Sequence, residues 1–123
     1  MISQSLFSGK LVGNRRMKKH VLEVLSQMDE KVISFITKKC WFFASMEDAW
    51  AFTFTGNDLK NQHLIFLSDE LLEESPEQIR YTIAHEIGHV VLGHRNSVLE
   101  MQTKKEIKKQ EMEADKFARG WGF

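Results

Sequence analysis

His85-Glu86-Ile87-Gly88-His89 puts two imidazoles four residues apart, with a carboxylate beside the first. On an α-helix that spacing brings both rings onto one face, one turn apart, so that a single cation can bind both. Glu86 falls about 100° around the helix from His85, next to such a cation rather than on it. Whether the stretch is helical is decided by its flanks. Ser75-Pro76-Glu77-Gln78 reads as a helix start, with a serine N-cap, a proline at the first helical position and a glutamine to close a capping box. Gly93 suits a left-handed C-terminal stop. Between them Ile79, Ile83, Ala84, Ile87, Val90, Val91 and Leu92 leave hardly any polar face, so the helix is expected to be central and buried. Two histidines and a glutamate on a buried helix need compensation, which a metal ion would supply.

A third donor is read from the last helix, expected over about Thr103 to Arg119. Its apolar stripe runs through Ile107, Ala114 and Ala118, and Glu111 falls inside it, while Glu106 and Glu113 point away. A carboxylate on a core-facing stripe is costly unless it meets a cation. Ala114 and Ala118 are small enough to let this helix approach another closely. His85, His89 and Glu111 therefore make a two-histidine, one-carboxylate set, a donor combination that suits zinc and other divalent ions. Asp115, one turn beyond Glu111 on the same side, is expected to accept a hydrogen bond from a ligand imidazole. The Lys104-Lys105 and Lys108-Lys109 pairs read as a solvated face.

Upstream, Val21, Leu25, Met28, Val32 and Phe35 recur at helical spacing between about Arg15 and Lys38, with Met28-Asp29-Glu30 as a point where the run could split in two. Trp41–Phe43, Trp50–Thr55 and His63–Leu67 read as strands, the second showing clean alternation. Gly56-Asn57-Asp58 is turn chemistry. Residues 1–14 carry serine and glycine with weak patterning and read as a mobile arm. His20 reads as surface, His63 as a solvent contact at a strand end. The tail, Trp121-Gly122-Phe123, either packs on the core or occupies its own or a neighbour's cleft, which would restrain activity and bring self-association.

The bulk numbers are those of an ordinary globular chain. At 123 residues, 42% hydrophobic and 28% charged, one domain spanning 1–123 with one core is expected. Lys+Arg and Asp+Glu both number 17, so no basic excess points to nucleic acid. Cys40 is the single cysteine, which excludes an internal disulfide or a cysteine metal cluster and reads as a small core residue. No apolar run approaches the roughly 18 residues of a membrane helix, and the N-terminus lacks the basic start of a signal peptide. A cytoplasmic location without membrane contact is the expectation.

His85-Glu-Ile-Gly-His89-Val-Val-Leu-Gly-His94 followed by Glu111-Met-Glu-Ala-Asp115-Lys-Phe-Ala118 resembles the gluzincin zinc metallopeptidases, over about residues 63–119. Within that clan it is similar to HtpX-type and prenyl-protein proteases, to the ImmA/IrrE regulatory proteases and to the small minigluzincins. Matched position by position, E-x-x-A-D-x-F-A makes Glu111 the third metal ligand and Asp115 the acid behind the ligands, in agreement with the helical-face reading. The resemblance implies an α+β, zincin-like fold: a backing helix, a small antiparallel three-stranded sheet, an active-site helix and a glutamate helix. It also implies that His63–Leu67 rims the cleft, where an extended substrate would pair with it. The metzincin pattern is absent, because Leu92 and Arg95 stand at its glycine and third-histidine positions.

The expected activity is that of a zinc metallo-endopeptidase acting on peptides or unfolded protein, with one zinc ion on His85, His89 and Glu111. A metal-bound water would be activated by Glu86 as general base. Tyr81, His94 and Arg95 are candidates for stabilising the oxyanion. Two alternatives stand beside this: a regulatory or interaction protein with a structural metal site, and a protease dedicated to one partner protein.

Overall fold

The computed structural model describes residues 4–43, 63–67, 69–93 and 103–123. A 3-10 turn, Gln4–Phe7, leads into β1 (Leu11–Val12) and then α1 (Arg15–Ser26) and α2 (Glu30–Lys39). β2 (Cys40–Phe43) follows, then β3 (His63–Phe66), a 3-10 turn over Asp69–Glu73, α3 (Pro76–Val91) and α4 (Lys104–Gly120). The described architecture is α+β.

Local chemistry explains the helix boundaries. Asn14 caps α1, its side-chain oxygen accepting from the backbone N–H of Arg16 at 2.8 Å and of Met17 at 3.2 Å. The run does split at Met28-Asp29-Glu30: Asp29 caps α2 by accepting from Val32 N–H at 2.9 Å, which no continuous helix would allow. Glu30 in the first turn and Lys38 and Lys39 in the last complement the helix dipole. Ser75 caps α3, its hydroxyl accepting from Gln78 N–H at 3.2 Å. The capping box is half made, because the Gln78 amide donates to Thr82 Oγ1 at 3.2 Å instead of turning back. Gly93 has φ of 70°, the left-handed stop expected of it.

The sheet differs from the antiparallel arrangement expected. Its order is β1-β2-β3 and both pairings are parallel, Leu11 beside Phe42 and Cys40, Trp41, Phe42 and Phe43 beside His63, Leu64, Ile65 and Phe66. Parallel neighbours need a long crossover, and α1 with α2 forms the one between β1 and β2. The register sets Leu11, Phe42 and Ile65 side by side, all buried. The expected strand Trp50–Thr55 and turn Gly56-Asn57-Asp58 lie outside the described residues.

Within the stretch read as an arm, Phe7 and Leu11 are packed into the core. Phe7 is 0% exposed and meets Phe42 edge-on at 5.6 Å, while Leu11 is buried in the sheet. One core contains these two, the inner faces of α1 and α2 (Met17, Val21, Val24, Leu25, Val32, Ile36), Phe42, Ile65, Leu67 and the α3 residues Ile79, Ile83, Ala84 and Ile87. Cys40 is buried among them as a free thiol. Helix α3 is the hub, packed against α4, α1, α2 and β3. His20 is not a surface residue: its side chain is 13% exposed, with Nδ1 3.7 Å from Glu23 Oε2. The same oxygen lies 3.4 Å from Arg80 Nε, tying α1 to α3. Among the described residues no helix is long and apolar enough to cross a membrane.

Candidate metal centre

The i, i+4 spacing on α3 delivers what helix geometry requires. The rings of His85 and His89 stand 4.8 Å apart, edge to face at 83°. Their outer faces turn toward α4, which runs antiparallel to α3, as the pairings of Tyr81 with Arg119, Gly88 with Phe117 and His89 with Glu111 require. Thr103 caps α4 by accepting from Glu106 N–H at 3.1 Å, and Ala114 and Ala118 are the residues of α4 that are buried. Both are small and on one stripe, so α4 lies close to α3 and Glu111, one turn earlier, reaches the histidines.

Glu111 bridges both rings. Its Oε2 is 2.8 Å from His85 Nε2 and its Oε1 is 3.1 Å from His89 Nε2. One ligand atom from each of the three residues lies within 4.8 Å of the others, so the group could hold a metal ion. Tetrahedral zinc with ligand bonds of about 2.1 Å needs donor atoms separated by roughly 3.4 Å, which small rotamer adjustments supply here. Two imidazole nitrogens and one carboxylate are also donors a divalent cation accepts in preference to sodium or potassium. The residues fit such an ion.

The surroundings differ from expectation in two respects. Glu111 was expected on a core-facing stripe, yet its side chain is 56% exposed, against 15% for His85 and 21% for His89. Ile107 is likewise exposed. The antiparallel pairing explains this: α3 ends at Val91, so the turns of α4 before Glu111 project past its end. The lysines at 104, 105, 108 and 109 are exposed as read. The second difference concerns Asp115. Its Oδ2 accepts from Arg119 Nε at 3.1 Å, while His85 Nδ1 is buried with no hydrogen-bond partner among the described residues. Asp115 was expected to accept from one of the two ligand imidazoles, and for His85 no such bond is formed.

Glu86, the residue after His85, is half-buried. Burial pushes its carboxyl above the usual carboxylate range; His85 acts against that shift and Glu111 adds to it. Tyr81 is stacked obliquely on His85, ring centres 5.9 Å apart. Arg119 was not singled out as a site residue from the sequence, but its guanidinium lies over the Tyr81 ring at 5.8 Å. The signal was its place eight residues after Glu111 on the same face of α4. His94 and Arg95 lie outside the described residues. The tail packs on its own domain: Trp121 and Phe123 lie against the core, and Phe123 N–H donates to Ala118 O at 3.1 Å.

No curated protein and no solved structure matches the chain. The model of one protein family, Peptidase U49, matches residues 77–123, a segment that contains His85, Glu86, His89, Glu111 and Asp115 and to which this part of the chain is similar.

Proposed function

We propose that the chain is a zinc-dependent metallo-endopeptidase of gluzincin type, with a zincin-like fold. The observation that carries this is the convergence of His85 Nε2, His89 Nε2 and both Glu111 oxygens at one point between α3 and α4. The similarity of residues 77–123 to a peptidase family supports the same reading.

His85, His89 and Glu111 would hold the ion, leaving a position open to solvent on the exposed Glu111 side, as hydrolytic centres require. The ion would supply Lewis acidity, polarising a carbonyl and making water a better nucleophile near neutral pH. Glu86 takes the proton from the attacking water and returns it to the leaving amine. Tyr81, stacked beside His85, is the described residue best placed to donate a hydrogen bond to the developing oxyanion. Asp115 anchors Arg119 at the end of this row. Substrate is peptide or unfolded protein, and nothing in the balanced charge calls for nucleic acid.

Glu86→Gln tests the assignment. Hydrolysis of casein should fall by about 10²–10⁴-fold while bound zinc stays at the wild-type level. Full activity in this variant would remove Glu86 from the chemistry. Loss of zinc would show that the residue is structural. A wild type that binds zinc, ignores casein and cuts one co-encoded protein would favour the dedicated protease.

A further inference from the structure

The face of α3 bearing Tyr81, His85 and His89 lies against the face of α4 bearing Glu111, Asp115 and Arg119, each set spaced at four residues. The metal donors occupy one end of this row and Arg119 the other. Arg119 has two separate partners. Its Nε donates to Asp115 Oδ2 at 3.1 Å, and its guanidinium carbon is 5.8 Å from the centre of the Tyr81 ring. Tyr81 in turn lies against His85 at 5.9 Å. The Arg119 side chain is nevertheless 68% exposed.

An exposed i, i+4 pair adds little to helix stability, so the arrangement is poorly explained as a structural device. It does fix orientation. A surface arginine normally loses rotamer freedom when it binds; one already held by a carboxylate and an aromatic face loses less. With Nε committed to Asp115, the terminal N–H groups remain, in the fork that matches a carboxylate. Eight residues of helix separate Arg119 from Glu111, roughly 12 Å along the axis. An extended peptide covers that distance in about three or four residues at about 3.3 Å each.

The geometry points to Arg119 as a specificity-determining residue that receives a carboxylate of the substrate, from an acidic side chain or a free C-terminus, about three residues from the bond that is cut. This rests on the peptidase reading above, and adds to it a preference for anionic peptides at the Arg119 end of the paired helices.

The test uses the full chain loaded with zinc and a casein-derived peptide that the wild type cleaves. Glu, Gln or Lys is placed in turn at each of the four positions on either side of the cleaved bond. Free-acid and amidated forms of peptides truncated at those positions separate a C-terminal carboxylate from a side-chain one. Glu should exceed Gln by about fivefold in kcat/KM at one position near the third, through KM rather than kcat. Arg119→Gln should erase that preference, Arg119→Lys retain part of it, and Arg119→Glu turn it toward Lys, with zinc content and Tm as in wild type. A Glu/Gln ratio unchanged in Arg119→Gln at every position overturns the assignment, and so does a uniform loss of kcat/KM over all peptides. Zinc-loaded wild type that cleaves no peptide at all sinks the peptidase reading and this one with it, so the two failures are distinguishable.

Discussion

Gly88 of α3 faces Phe117 of α4 so closely that a Cβ at position 88 would lie 3.0 Å from Phe117 Cδ1 and 3.2 Å from its Cβ and Cγ. The glycine sits one residue before His89 and one after Ile87, in the middle of a helix where glycine is otherwise unfavourable. Its cost is offset by the approach it permits, because α4 must come this near for Glu111 to meet both imidazoles. Gly88→Val would overpack the contact and is expected to destabilise by about 2 kcal/mol. It should also weaken zinc binding, since Phe117 and Glu111 move as one helix. Thermal unfolding with and without zinc reads both effects, and unchanged values in both would show that the close contact is incidental.

Glu111 and Glu113 differ by two positions and point to different sides of α4. Glu111→Ala should lose most of about one equivalent of bound zinc, whereas Glu113→Ala should keep it. Zinc at a hundredfold excess over its dissociation constant should stabilise the wild type by about 2.7 kcal/mol, because the ion would tie α3 to α4 in the native state alone. Metal analysis after dialysis, followed by unfolding with and without chelator, gives the answer. Equal zinc in both variants would contradict the ligand set.

Phe7 is part of the core rather than of an arm. Phe7→Ala removes an edge-to-face partner of Phe42 and leaves a cavity, at an expected cost of about 3 kcal/mol. Chemical denaturation measures it. A stability equal to wild type would mean that the first residues fold independently of the rest.

Burial pushes the Cys40 thiol up to about 12, from an ordinary value of 9.0. The folded state thus holds a neutral thiol where the unfolded chain would ionise. The contribution to stability is full below about pH 9 and is lost as pH rises from there to about 12. Relative to Cys40→Ala, the wild type should lose stability across that window and not below it. At neutral pH the native thiol should react with a thiol reagent far more slowly than in denaturant. Rapid native labelling would contradict the burial.

Much of the candidate site was legible because its information is local. The spacing of His85 and His89 implies a shared face once Ser75 and Gly93 mark the ends of the helix, and those marks are properties of single residues. The side of α4 that carries Glu111 followed from the same periodicity, as did the caps at Asn14 and Asp29. What failed were the inferences about how the strands pair and what the first residues pack against. Residues 1–14 showed weak patterning, so the short strand at Leu11–Val12 left no periodic trace. Its strand character comes from pairing with Phe42 and Phe43. The family resemblance implied an antiparallel sheet, whereas the chain uses α1 and α2 as the crossover between β1 and β2 and pairs in parallel.

The amino-acid sequence alone picked out His85, His89 and Glu111 as a group that could hold a metal ion, since two helical periodicities suffice to choose the residues that can meet. Only the tertiary structure decided how open that meeting point is and what lies beside it. Exposure of Glu111 depends on where α3 stops relative to α4, and the placement of Arg119 over Tyr81 depends on their antiparallel register. Both are relations between two helices distant in the chain, and no periodicity within either one encodes the offset between them.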